Sequence, residues 1–476
     1  MDRYRRPAWL LPAACMLVGC AARSPYPLGE APQALSARSP AILLAGNDGS
    51  GVFRIQAIDA VTGGVLPSPA GFELEAGGAI RNHTISADGR WLALAAGTSV
   101  FCEPLGGGSA CWDAASILHI VDLKGGQVSS SQLAGSGRIS SLAFNPAGDR
   151  LALTFHSRDT VRILTYAVPS ASPDAQADLS IDPSVCGVSC TSLAYTRDGS
   201  ALLVFGVSPG EQPGIEPPGP AQAVLLDSAT LTPIWTHVLE GFRIGSWSVE
   251  SCDSGQEALR GEAWYPAITL QPGTDSLLAL HAEAERLTSI DFGRRLVESF
   301  DIHAAQTWLD RLMAFATWPA QAKSASEGTV KRAVFSPDGS RLYTLSRSLH
   351  AAKNEDGVWE GWDEPLGLDV ISPTTGLRLD HLDTDAGGLG LSKDGRWILL
   401  AGWDRFRGEV LDAISLESLA TFEGWELLPV RSLDGQAVLM AYLEGEATTR
   451  FAHIDPVTLR LSPAWTVEGT AFMISP

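Results

Sequence analysis

Basic residues are scarce in this 476-residue chain: 34 lysines and arginines stand against 54 aspartates and glutamates, a formal charge of −20. That deficit argues against nucleic acid or anionic lipid headgroups as partners, because both reward clustered cations. Long hydrophobic runs are missing as well. The apolar stretch near the start ends at Gly19, short of the roughly 20 residues that span a bilayer. The chain carries no nucleophile elbow, no HExxH, no phosphate-binding loop and no haem CxxCH, so no motif implies a cofactor or a metal. Cysteine is sparse, at seven residues.

What is abundant is a phrase. SADGRWLAL (86–94), NPAGDRLAL (145–153), TRDGSALLV (196–204), SPDGSRLYTL (336–345), SKDGRWILL (392–400) and SLDGQAVLM (432–440) share one grammar: an apolar strand, a tight Asp-Gly turn, a second apolar strand. QPGTDSLLAL (271–280) keeps the shape but scrambles the turn. Gly supplies positive φ and Asp bonds its own turn backbone, so these aspartates read as turn chemistry rather than catalysis. A second phrase, an apolar run ending in Asp or Ser and often Thr-Gly, recurs at 54–63, 118–126, 224–231, 287–293, 368–376 and 451–459, with looser copies at 161–168 and 410–418. Together they predict an all-β fold, a β-propeller of four-stranded blades whose first and third strands carry the two phrases.

Eight third-strand copies stand against seven internal first-strand copies. The chain ends resolve the difference: AILLAGN (41–47) reads as a second strand without a first, and TAFMISP (470–476) reads as a first strand without a second. Pairing them closes the ring and removes exposed edges. The expectation is eight blades, or seven if the divergent stretch 243–300 is not a full blade. The phrases resemble the WD40-like and YVTN-type propellers of bacterial secreted proteins over nearly all of the chain after residue 39. That resemblance implies a fold and leaves function open, because such propellers include lactonases, amine dehydrogenase subunits and non-enzymatic scaffolds.

Arg3, Arg5 and Arg6, a short apolar segment and Leu17-Val18-Gly19-Cys20 follow one another in the order of a secretory signal. The segment resembles the lipobox of bacterial lipoproteins, which implies cleavage after residue 19, acylation of Cys20 and, with Ala21 following, sorting to the outer membrane, facing the periplasm or the surface. On this reading residues 1–19 are the signal peptide, 20–39 the lipidated tether and 40–476 the propeller. Removing Asp2 and the three arginines leaves a charge of −22. In an oxidising compartment the close pairs Cys102–Cys111 and Cys186–Cys190 are the expected disulfides, with Cys252 left over.

Insertions at equivalent points of a repeat emerge on one face of the disc. Those at 97–116, 206–221 and 347–366 fall between second and third strands, and 241–264 falls before a first strand, so all four elaborate the same face. Trp112, Trp247, Trp264, Trp359, Trp362 and Trp403 lie in or beside them, with the acidic run NEDGVWEGWDEP. Tryptophan beside carboxylates suits a protein interface or a sugar platform. Arg81, Arg138, Lys331 and Arg332 start first strands and ring the channel mouth on that face, where converging cations suit a carboxylate or phosphate. These residues point to a monomeric, non-enzymatic binding or scaffold module for an envelope protein or glycan. The alternative is a lactonase-like hydrolase with His83 or Glu262 as general base.

Overall fold

The computed structural model describes residues 40–47, 53–66, 73–76, 78–105, 108–157, 160–179, 192–207, 220–251, 258–304, 326–353, 359–402, 407–431, 437–445 and 448–474. These contain strands only, numbered β1 to β35 along the chain. They build eight sheets, each with four antiparallel strands as its blade. The segment 243–300 supplies a full blade, β18 (Ala267–Leu270) to β21 (Leu296–Asp301), which settles the count at eight rather than seven.

Closure occurs where the chain ends meet. The last strand, β35 (Thr470–Ile474), pairs antiparallel with β1 (Ala41–Asn47), Leu43 opposite Ile474 and Asn47 opposite Thr470, and so becomes the innermost strand of blade 1. The core shows why the ring must close. It is divided into eight apolar clusters, each drawn from two neighbouring blades, one cluster for every blade interface including that between blades 8 and 1. Strand alternation feeds them. In β1, Ile42 and Leu44 enter the cluster shared with blade 8, and Leu43 and Ala45 enter the one shared with blade 2. In β13 (Ala201–Val207), Leu202 and Val204 face blade 3 while Leu203 and Phe205 face blade 5. Each blade is therefore apolar on both faces, unlike an antiparallel sheet with one wet side.

The turn phrases fold as their residues dictate. In the first copy the Ser86 hydroxyl donates to Asp88 Oδ1 at 2.6 Å, Trp91 N–H donates to Ser86 Oγ at 2.9 Å, and Gly89 sits at φ 68°. The same hydroxyl-to-aspartate bond recurs at Thr196–Asp198, Ser336–Asp338 and Ser392–Asp394. The divergent copy keeps the turn through Gly273, at φ 72°. Third-strand ends use a second device: Asp59, Asp122, Asp227, Asp412 and Asp455 each accept backbone N–H bonds from residues two and three further on. Both turn sets lie on one face of the disc, here the turn face. The other connections form the loop face.

Candidate functional site

The loop-face insertions at 97–116 and 347–366 fold as strand extensions rather than irregular loops. In blade 2, β5 (Trp91–Leu105) and β6 (Gly108–Asp122) run as one long hairpin, with the Cα of Cys102 in register opposite Cys111. In blade 6, β24 (Leu342–Lys353) and β25 (Trp359–Ile371) do the same. The insertion before blade 5 is a hairpin of β16 (Gly245–Ser251) and β17 (Ala258–Tyr265). Its second strand pairs parallel with the start of β23 (Ser326–Phe335), Gly261 opposite Ser326 through Tyr265 opposite Val330. Only glycine fits at 328, where an added Cβ would lie 2.2 Å from the Ala263 carbonyl oxygen. Thus β16–β17–β23–β24–β25 form one continuous five-stranded extension of blade 6, built from segments up to about a hundred residues apart.

Register sorts this sheet into two faces, because residues directly opposite share a side. One row runs Glu262–Glu327–His350–Trp362, with Trp247 opposite Glu262. The next row on that face runs Trp264–Thr329–Ser348–Glu364. The opposite face holds Ala263, Gly328, Leu349 and Asp363, and it is closed: Ala263 is 5% exposed, and Arg347, itself buried, bonds Asp363 and donates to the Asp385 carbonyl at 2.6 Å at the entry to blade 7. The Trp-bearing face is more open. Trp362 is 45% exposed and stacks on His350, ring centres 5.4 Å apart, and the Glu364 side chain is 65% exposed. His350 Nε2 lies 2.9 Å from Ser348 Oγ. Trp264 Nε1 donates to Glu262 Oε2 at 2.7 Å, and the same oxygen accepts from Arg243.

Three of the four expected cations are paired with acids. Arg81 and Arg138 both turn to Asp113, whose side chain is fully buried: Arg81 Nη2 donates to Oδ1 at 2.7 Å, and Arg138 Nε lies 3.7 Å from Oδ2 without a hydrogen bond. The hairpin of blade 2 brings Asp113 there by bridging to Gly137 of blade 3. Burial lowers the pKa of Arg138, with Asp113 opposing and Arg81 reinforcing the shift. Burial, and then the charge of Arg138, holds buried His156 down at about 4 and hence neutral. On blade 6, Lys331 Nζ donates to Glu285 at 3.1 Å, and Arg378 reaches the same carboxylate at 3.4 Å. Of the four expected cations, Arg332 has no ion-pair partner among the described residues.

Of the two residues proposed as general base, Glu262 is the acceptor for Trp264 and Arg243, and half-buried His83 lies on β4 (Ala79–Ile85), its backbone N–H donating to Asn82 Oδ1. The two lie on different blades. Trp112 and Trp359 occupy strand positions opposite Phe101 and Lys353. Cys20, Cys186, Cys190 and Trp403 lie outside the described residues. Among the described residues no group of three or more His, Cys, Asp or Glu side chains is placed to hold a metal ion. Sequence reasoning missed His350, Ser348 and Thr329, whose membership of the tryptophan face depends on cross-strand register.

The fold defines the chain as an eight-bladed β-propeller. No protein-family model matches it, and no curated protein matches it in sequence. Among solved structures it is similar to the dihydro-heme d1 dehydrogenase NirN in complex with DHE, with a TM-score of 0.52 and 12% identity over 99% of this chain and 83% of that one. It is also similar to apo AztD from Citrobacter koseri (TM-score 0.48, 11% identity, 92% and 97% covered) and to BamB from Moraxella catarrhalis (0.43, 12%, 93% and 94%). At these identities the likeness shows fold alone.

Proposed function

We propose that this propeller is a non-enzymatic binding module, anchored to the outer membrane through Cys20, that engages an envelope component with its loop face. The observation that carries this reading is the five-stranded extension of blade 6: one side is buried against blade 7 and the other presents Trp264, His350, Trp362 and Glu364. A scaffold that invests strands, and not loops, beyond its ring holds such a surface rigid, which lowers the entropic cost of binding. The lipid anchor rests on the Leu17–Cys20 segment. A Cys102–Cys111 disulfide is supported by the register that sets these residues opposite one another.

The test is saturable binding of the full chain, made non-lipidated by Cys20→Ser, to isolated native envelopes. Alanine at Trp264 and Trp362 is expected to remove that binding, while alanine at turn-face Asp88 and Asp394 leaves it intact. Binding that is absent in the wild type, or indifferent to the tryptophans, contradicts the proposal.

A further inference from the structure

The tryptophan face of the blade 6 extension has a chemistry of its own. We infer that it is a carbohydrate platform for a neutral oligosaccharide lying across the strands; this deepens the binding reading above and rests on it. Trp264 on β17 and Trp362 on β25 are three strand spacings apart, roughly 14 Å at about 4.8 Å each, so the two rings mark separate positions along an extended ligand. Between and beside them stand hydrogen-bonding groups instead of aliphatic ones: Glu262, Ser348, His350 and Glu364. A sugar offers both halves of the match, since its C–H faces stack on aromatic rings and its hydroxyls donate to carboxylates.

A folded protein partner is the poorer fit. Its interface core would have to desolvate the exposed Glu364 carboxylate against apolar surface, a charge that is costly to bury without a donor, whereas Glu262 already has Arg243 and Trp264 as donors. The charge balance sets the class of glycan. With −20 on the chain, Glu262 neutralised by Arg243 and Glu364 exposed on this face, an anionic polysaccharide is repelled, whereas a neutral one is not. Two local contacts prepare the surface. The Glu262 carboxylate holds the Trp264 indole by its N–H, and His350 backs the Trp362 ring by stacking. Both aromatics are thereby held before a ligand arrives, which reduces the rotamer freedom lost on binding.

Titration of the full chain with maltohexaose, cellohexaose, laminarihexaose and chitohexaose, followed by calorimetry and tryptophan fluorescence, tests the inference. At least one is expected to bind saturably, with Kd raised tenfold or more by Trp362→Ala and by Trp264→Ala, and about threefold by Glu364→Gln. Trp264→Phe, which keeps a ring but loses the N–H, should lie between wild type and alanine. Trp235→Ala, a half-buried tryptophan on the outer strand of blade 4, should change nothing. Because Trp362 and Glu364 are exposed, their variants report on binding without unfolding the sheet. If none of the four sugars binds while tryptophan-dependent envelope binding persists and is destroyed by protease treatment of the envelopes, the ligand is a protein and the glycan class is wrong. Sugar binding indifferent to Trp264 and Trp362 overturns the site. Loss of envelope binding as well as sugar binding removes the underlying reading first.

Discussion

The two faces of the disc follow opposite rules. On the turn face the same devices recur, a hydroxyl-to-aspartate bond in blades 2, 4, 6 and 7 and an aspartate accepting two backbone N–H groups in blades 1, 2, 4, 7 and 8, and the aspartates bond their own turns. The hydroxyl of Ser336 and the N–H of Ser340 hold Asp338 down at about 2, and backbone N–H bonds likewise lower Asp198, Asp227, Asp412 and Asp455. On the loop face blades 2 and 6 depart from the repeat. Blade 2 extends a hairpin that inserts a buried acid between two arginines, and blade 6 recruits a hairpin from across blade 5. Uniformity marks where the chain needs only to turn, whereas departure from the repeat marks where it has acquired interactions the ring does not require.

The comparison can be broken most severely at the ring itself, on which both faces depend. Deleting 468–476 removes Ala471 and Met473 from the cluster with blade 8 and Ile474 from that with blade 2. We expect a loss of about 5 kcal/mol or more, with aggregation through the opened edge; an unchanged melting temperature would contradict closure. Asp113→Asn leaves Arg81 and Arg138 without their counter-charge and should cost about 3–5 kcal/mol by urea unfolding. The turn-face counterpart Asp338→Ala should cost about 1 kcal/mol. Equal losses would erase the distinction between a buried ion triad and a solvated turn.

Stability against pH separates the faces again. Buried His156 has a folded pKa near 4, below its ordinary 6.5, so its contribution is full above pH 6.5 and is lost as pH falls towards 4. His156→Gln should flatten that limb. The turn aspartates, depressed below 3.8, contribute fully above pH 4 and fail only below it, as pH falls through their folded values. The smallest effect belongs to the turn face. Arg295 is exposed at φ 56°, where blades 1, 2 and 6 use Gly63, Gly126 and Gly376. Arg295→Gly should raise stability by about 1 kcal/mol, and a loss of stability would show that this side chain has a role the turn does not explain.

Blade number, strand order and ring closure were legible because their signals are local. A Ser-x-Asp-Gly turn specifies its own geometry within five residues, and the unmatched 41–47 and 470–476 phrases announce each other. The loop face was legible only as a location. Nothing within 241–264 shows that β17 pairs with residues 326–330, since parallel pairing over that distance leaves no short-range pattern beyond Gly328. For the same reason Trp264 and Trp362 stood out individually but not as neighbours on one face. The cations that start first strands stood out individually, but their pairing was not readable: Asp113 lies in an insertion, and its approach to Arg81 and Arg138 depends on the long blade 2 hairpin.

Amide hydrogen exchange on the full chain, with and without native envelopes, tests the division of labour most directly. The account predicts new protection confined to 245–251, 258–265, 326–330 and 347–366, with the Asp-Gly turns unchanged. Protection centred on the turn face, or spread evenly around the ring, would contradict it.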